Sequence, residues 1–241
     1  LELFAKKHID GHAPGIRGKE VQAYRLAGVE NDHECSTAEE VLDKLRAGLH
    51  IYVREGSGAK NLETLIKTML DAGVCLDRCA FCTDDKHVEE IRKEGHISTC
   101  IRKAIALGVP VAKAYKMGSY QAAEFYGLKN YGAIGAGYRA DIVFLDDLEQ
   151  VRPLDVMKDG RILTEEDYAK DYSVPVPDEL LHTVHVGEVT KEKIRLSCDG
   201  KTDVIQMNPH QIVTTHLVEE VPTENGYFKS DGVYNKICVV E

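Results

Sequence analysis

Apolar positions recur along this chain with two periods, and the switch between them predicts its elements. Lys7–Ile9 reads as a short strand ending at Asp10-Gly11-His12. Gly18–Ala27 spaces Val21, Tyr24 and Leu26 as a helix does and stops at Gly28, a residue type that readily closes helices. Val29 leads into Asn31-Asp32-His33, a second strand exit. Thr37, with Glu40 three residues on, predicts a capping box that opens a helix through Val41, Leu42 and Leu45. Leu49, Ile51 and Val53 alternate with His50, Tyr52 and Arg54, a third strand leading into Arg54-Glu55-Gly56-Ser57. Asn61–Ala72 puts Leu62, Leu65, Ile66, Met69 and Leu70 on one helical face. A fourth strand is expected at Cys79–Cys82, ending at Thr83-Asp84-Asp85, with helices over His96–Leu107 and Tyr120–Tyr126. Strand, loop and helix thus repeat at intervals of ~20 to 30 residues, which argues an α/β fold with a parallel sheet under covering helices. Four such units make half of a (β/α)8 barrel.

The texture changes at Tyr138. Ala140–Asp146 reads as a strand, and Val156–Leu163 as a hairpin around Asp159-Gly160. Val174-Pro175-Val176-Pro177 is an extended linker, because proline fixes φ and removes a donor. Beyond it the chain is strand-rich, with turns at Asp199-Gly200, Asn225-Gly226 and Asp231-Gly232. The division expected is 1–137 for the half-barrel, 138–166 for a small β-segment and 178–241 for a β-rich accessory domain.

Composition narrows the function classes. A formal charge of −10, with acids and bases interspersed, argues against a nucleic-acid surface, which needs clustered cations. No apolar stretch approaches the ~20 residues of a membrane span, and the start lacks the layout of a signal peptide. Seven cysteines without a compact framework favour reduced thiols and a cytoplasmic setting. The first residue is not Met and both ends run into element-like sequence, so an internal segment of a longer protein is expected.

Metal-competent side chains fall where three of the strands end: His12, His33 and Asp84. A (β/α)-barrel enzyme keeps its chemistry at those carboxyl ends. One histidine near a strand end is ordinarily a surface residue, and it is the ordered set that argues for a metal. His8 sits four before His12 as in a helical metal pair, but Gly11 and Pro14 forbid a helix there, so His8 is read as structural. Cys79-Ala80-Phe81-Cys82 has the spacing of a redox or zinc motif, yet on a strand its two thiols face opposite ways.

The strings Asp10-Gly11-His12-Ala13-Pro14-Gly15, Asp32-His33-Glu34, Arg54-Glu55-Gly56-Ser57 with Lys60-Asn61-Leu62, and Thr83-Asp84-Asp85, in that order, closely resemble the bacterial-type adenine deaminase family. That family belongs to the amidohydrolase superfamily of metal-dependent barrels, and Gly132–Asp141 looks like the superfamily's passage from barrel to β-domain. The resemblance implies strands five to eight of the barrel, with His12 and His33 as metal ligands from the fifth and sixth. It puts the eighth-strand aspartate on Asp84, as ligand of a second metal and as carrier of the proton from the nucleophile to the leaving amine. It also implies a first-strand His-x-His pair and a bridging carboxylate upstream of Leu1. Glu55 is a candidate contact to the purine edge, the alternative being an ion pair with Arg54 or Lys60. Glu34 and Asp85 are candidate partners that orient the ligands, or else solvated loop acids.

The expected reaction is hydrolytic deamination of adenine to hypoxanthine and ammonia, using two divalent ions, Mn2+ or Fe2+ before Zn2+. The implied partners are the small-molecule substrate and further copies of the protein, with neither nucleic acid nor membrane. Two other readings stay open: a hydantoinase- or dihydroorotase-like ring opener, and a non-catalytic half-barrel that works only with its missing half.

Overall fold

The computed structural model describes residues 7–171, 173–183 and 185–239. Its organising element is a parallel sheet in the order β1 (Asn31–Asp32), β2 (His50–Arg54) and β3 (Cys79–Cys82). Asn31 lies opposite His50, and Ile51 to Arg54 run in register against Cys79 to Cys82. α1 (Lys19–Leu26) precedes β1, and the connections carry α2 (Ala38–Arg46) and α3 (Leu62–Asp71). After β3 come α4 (Val88–Glu94), α5 (Ile97–Ala106), α6 (Val111–Gly118) and α7 (Tyr120–Phe125).

Local sequence accounts for most of these elements. Thr37 and Glu40 form the reciprocal capping box that starts α2. α3 buries Leu62, Leu65, Ile66 and Met69, the face its spacing predicts. Both faces of β2 are covered, as parallel strands require. Ile51 and Val53 enter the main core with Leu49, Leu65 and Phe81, while Tyr52 packs oppositely with Ala80 and Phe125. A Leu65→Ala cut in such a core costs about 2–5 kcal/mol.

Two expectations change. Lys7–Ile9 is not a strand: Ile9 O accepts one bond, from Glu30 N–H at 3.2 Å, and one bond does not make a ladder. The described parallel sheet therefore has three strands where four were expected. Helices α4 and α6 were not anticipated. α4 buries no residue, so it carries no apolar stripe for periodicity to reveal. α6 starts behind Pro110 and buries Ala114 and Met117, too few positions to stand out.

Further along, β4 (Ile142–Leu145), β5 (Pro153–Lys158) and β6 (Arg161–Ile162) form an antiparallel sheet, followed by α8 (Glu165–Ala169). Asp159 at φ 51° and Gly160 at φ 78° make the tight hairpin turn that the Asp-Gly pair predicts. The chain divides into two compact units, and the division falls after Tyr168, with Asn208–Val213 grouped with the first unit. The second unit holds α9 (Asp178–Leu181) and the hairpin of β7 (Lys201–Met207) and β8 (Thr214–Glu220). β9 (Thr223–Glu224) and β10 (Tyr227–Phe228) close around Asn225-Gly226. Among the described residues no helix is long and apolar enough to cross a membrane.

Candidate metal centre

The histidine loops at the carboxyl edge of the sheet are tied down by buried charge. Asp32, fully buried, accepts the Ala13 N–H at 3.0 Å and the Glu34 N–H at 3.1 Å. The buried ammonium of Lys44 lies 2.9 Å from Asp32 Oδ2 and donates to Ala13 O at 2.7 Å. Burial alone would lower the Lys44 pKa, but Asp32 and Glu40 are among the neighbours that outweigh it and hold it raised. Glu40 Oε2 takes the Ser36 and Thr37 N–H groups at 2.9 Å each, and Oε1 takes the Gly15 N–H. Asn31 Oδ1 accepts the Gly11 N–H at 2.7 Å, and a Cβ at Gly11 would overlap Asn31 O. Glycine is the residue that permits this approach.

This bracing brings His12 and His33 together, with ring centroids 5.7 Å apart. One ligand atom from each of His12, His33 and Glu34 lies within 4.8 Å of the others, and no other such trio occurs among the described residues. Glu34 is buried and His12 largely exposed. Glu34 Oε2 accepts no hydrogen bond: His12 Nδ1 approaches to 3.0 Å, close enough for an ion pair but not aligned to donate. Glu34, expected as an orienting neighbour or a solvated loop acid, therefore stands in the ligand-competent trio.

Asp84 does not join that trio. Its Oδ2 lies 2.6 Å from Arg54 Nη2, because a guanidinium at the end of β2 draws it sideways. The same Nη2 bonds Asp85 Oδ1 at 2.9 Å, and Nη1 reaches Glu34 Oε1 at 3.5 Å. Asp84 occupies the left-handed region at φ 43°, one that Asp tolerates better than most residues. Asp85 Oδ2 accepts the Gly58 N–H at 2.5 Å. Partial burial pushes the Asp85 pKa up, but the Gly58 N–H and Arg54 outweigh it and hold the carboxyl low. Ser57 Oγ accepts the His87 N–H at 2.9 Å and donates to Glu90 at 2.5 Å, so the loops after β2 and β3 are sewn together.

Glu55 pairs with neither Arg54 nor Lys60. Its Oε1 takes Lys103 Nζ of α5 at 2.6 Å. His8 binds Glu30 Oε2 at 2.8 Å, away from the trio. Cys79 faces the main core and Cys82 packs on the opposite cluster. Burial pushes both thiols up to about 12, far from reactive thiolates. Sequence reasoning missed Arg54 as a junction and Glu34 as part of the trio. The only available signal was their position at strand ends, Arg54 closing β2 and Glu34 two residues past β1.

A model of the amidohydrolase family matches residues 2–163. Curated relatives named adenine deaminase include those of Desulfitobacterium hafniense (strain Y51), 40% identical over 100% of this chain and 42% of the relative, and Carboxydothermus hydrogenoformans, 41% identical over 95% and 40%. That of Clostridium acetobutylicum is 40% identical over 98% of this chain and 42% of its own. The chain spans about two fifths of the length of these relatives. Among solved structures, the β-aspartyl dipeptidase of Fervidobacterium islandicum AW-1, in complex with a β-Asp-Leu dipeptide, superposes with a TM-score of 0.53. At 18% identity over 70% of this chain and 50% of that one, the likeness speaks for the fold alone.

Proposed function

The chain belongs to the amidohydrolase family, and from that premise we propose that it carries one side of the site of a metal-dependent enzyme that deaminates adenine to hypoxanthine and ammonia. The observation that carries this reading is the trio His12, His33 and Glu34. It is supported by the name adenine deaminase on relatives 37–41% identical. In this reading the segment covers the region of strands five to eight of the family's barrel, three of them formed as β1, β2 and β3, with residues 138–166 and 178–241 as β-structured additions.

The donor chemistry fits a divalent ion. Two imidazoles and a buried carboxylate oxygen with no hydrogen-bond donor form a set suited to Mn2+, Fe2+ or Zn2+. His12 and His33 would hold one ion and Asp84 would contribute to a second. When bound, such an ion lowers the pKa of water from 15.7 to roughly 7, which makes a nucleophile available near neutral pH.

The protein's own residues do the rest. Asp84, with 40% of its side chain exposed, is open to take a proton from the attacking water and return it to the departing amine. Glu55 has Oε1 committed to Lys103, which leaves Oε2 to read the purine edge. Asp32 and Lys44 hold the backbone of the histidine loops, which keeps both imidazoles on the same side of the sheet.

The test is ammonia release from adenine by the natural protein loaded with Mn2+. Turnover of hydantoins or dihydroorotate in place of adenine would replace this reading with the ring-opening one.

A further inference from the structure

Arg54 closes β2, the central strand, and only 7% of its side chain reaches solvent. A buried guanidinium is costly unless its partners are well placed. Here three carboxylates converge on it, those of Glu34, Asp84 and Asp85. They play different parts. Asp85 is an anchor, because its other oxygen is fixed by the Gly58 N–H. The loop around it has no room for larger residues: a Cβ at Gly56 would overlap Asp85 Oδ1, and one at Gly58 would lie 2.8 Å from Oδ2. Glu34 offers Oε1 to Arg54 and keeps Oε2 for the histidine trio. Asp84 takes the shortest of the three contacts, from the same nitrogen that binds Asp85.

We propose that Arg54 is the positioning residue of this centre: anchored on Asp85, its forked guanidinium sets the direction of the Asp84 carboxylate and the rotation of Glu34 about the histidine pair. The inference rests on the deamination reading for the role of Asp84, while its bearing on Glu34 needs only a metal. A simple counter-charge would be satisfied by any cation. The arrangement here uses two nitrogens aimed at separate acids, a geometry that lysine's point charge does not reproduce.

The test uses Arg54→Lys and Arg54→Ala in the natural protein, with thermal unfolding as a check on folding. In Arg54→Lys, kcat for adenine should fall by about 10²-fold with KM kept within about threefold, the scale expected when a reacting group is misplaced by about 1 Å. Added guanidinium ion should restore part of kcat in Arg54→Ala and leave Arg54→Lys unchanged. Wild-type kcat in Arg54→Lys overturns the proposal, as does an Arg54→Ala protein that folds but ignores guanidinium. If Arg54→Ala does not fold, the Arg54→Lys result decides alone. If the wild-type protein itself releases no ammonia from adenine, the deamination reading fails, and Mn2+ affinity then decides for Arg54. About tenfold weaker Mn2+ binding in Arg54→Lys supports positioning of Glu34, and unchanged binding overturns it.

Discussion

On the histidine side of the centre, Asp32, Glu40 and Lys44 are all 1% exposed or less, and every loop they hold is fixed through backbone N–H or carbonyl groups. On the acid side, Asp84 and Asp85 leave 40% and 33% of their side chains in solvent and lean on the buried Arg54. The contrast follows the work each side would do. A histidine ligand must be neutral and still, and a charge network withdrawn from water holds its loop at high cost to any rearrangement. A proton carrier has to exchange with its surroundings, which a half-open carboxylate on a single guanidinium permits. In the proposed reading, rigidity and exchange are thus divided between the two sides of the centre.

The largest effect that could break this comparison lies in Asp84→Asn. With the metal retained, kcat for adenine should fall by about 10²–10⁴-fold, since an amide keeps the shape but accepts no proton. Metal analysis beside steady-state kinetics checks it, and a near-normal kcat would remove Asp84 from proton transfer. Next comes Lys44→Met, which keeps the stem and strands Asp32 without its counter-charge. Urea unfolding should show a loss of about 3–5 kcal/mol. A loss below 1 kcal/mol would mean that the histidine side is no more tightly bound than the acid side.

Gly56→Ala probes the acid side through its packing. The new methyl displaces Asp85 and presses on Thr83 O, 3.1 Å from the added carbon, for a cost of about 1–3 kcal/mol. Arg54-dependent kinetics should deteriorate with it. The smallest effect concerns pH. Burial pushes Glu40 up, but the Ser36 and Gly15 N–H groups, the Ser36 hydroxyl and Lys44 outweigh it and hold the carboxyl below its ordinary 4.5. Its stabilising contribution is therefore complete above pH ~4.5 and is lost as pH falls through the lower value in the folded state. Glu40→Gln keeps the helix cap but should flatten the fall of stability with acid by at most one proton, about 1.4 kcal/mol per pH unit. An unchanged slope between pH 5 and 3 would show that Glu40 does not titrate with folding.

Much of the frame was legible in the chain. Thr37-x-x-Glu40 announces α2, the Leu62–Leu65–Ile66–Met69 face announces α3, and Asp159-Gly160 announces the β5–β6 turn. These signals are local, set by hydrogen bonds and side-chain spacing within a few residues. Cys79–Cys82 was readable as a strand because a short apolar run between turn signals has few other fates. α4 was not, since a helix with no buried face leaves no periodic trace.

The site divides in the same way. That His12, His33 and Asp84 follow strand-like runs is a property of the sequence, because strand ends in an α/β chain are marked by their turns. Which of them meet was decided by the fold. Glu34 joins the histidines because Asp32 takes its N–H and Arg54 takes one of its oxygens, contacts spanning 2 and 20 residues. Asp84 turns aside to a guanidinium 30 positions earlier, and Glu55 to Lys103, 48 positions later. Charges find partners by distance in space, which the register of β1, β2 and β3 and the packing of α5 on the sheet fix together. The sequence by itself determined the donors and their order; the packed sheet decided their pairing.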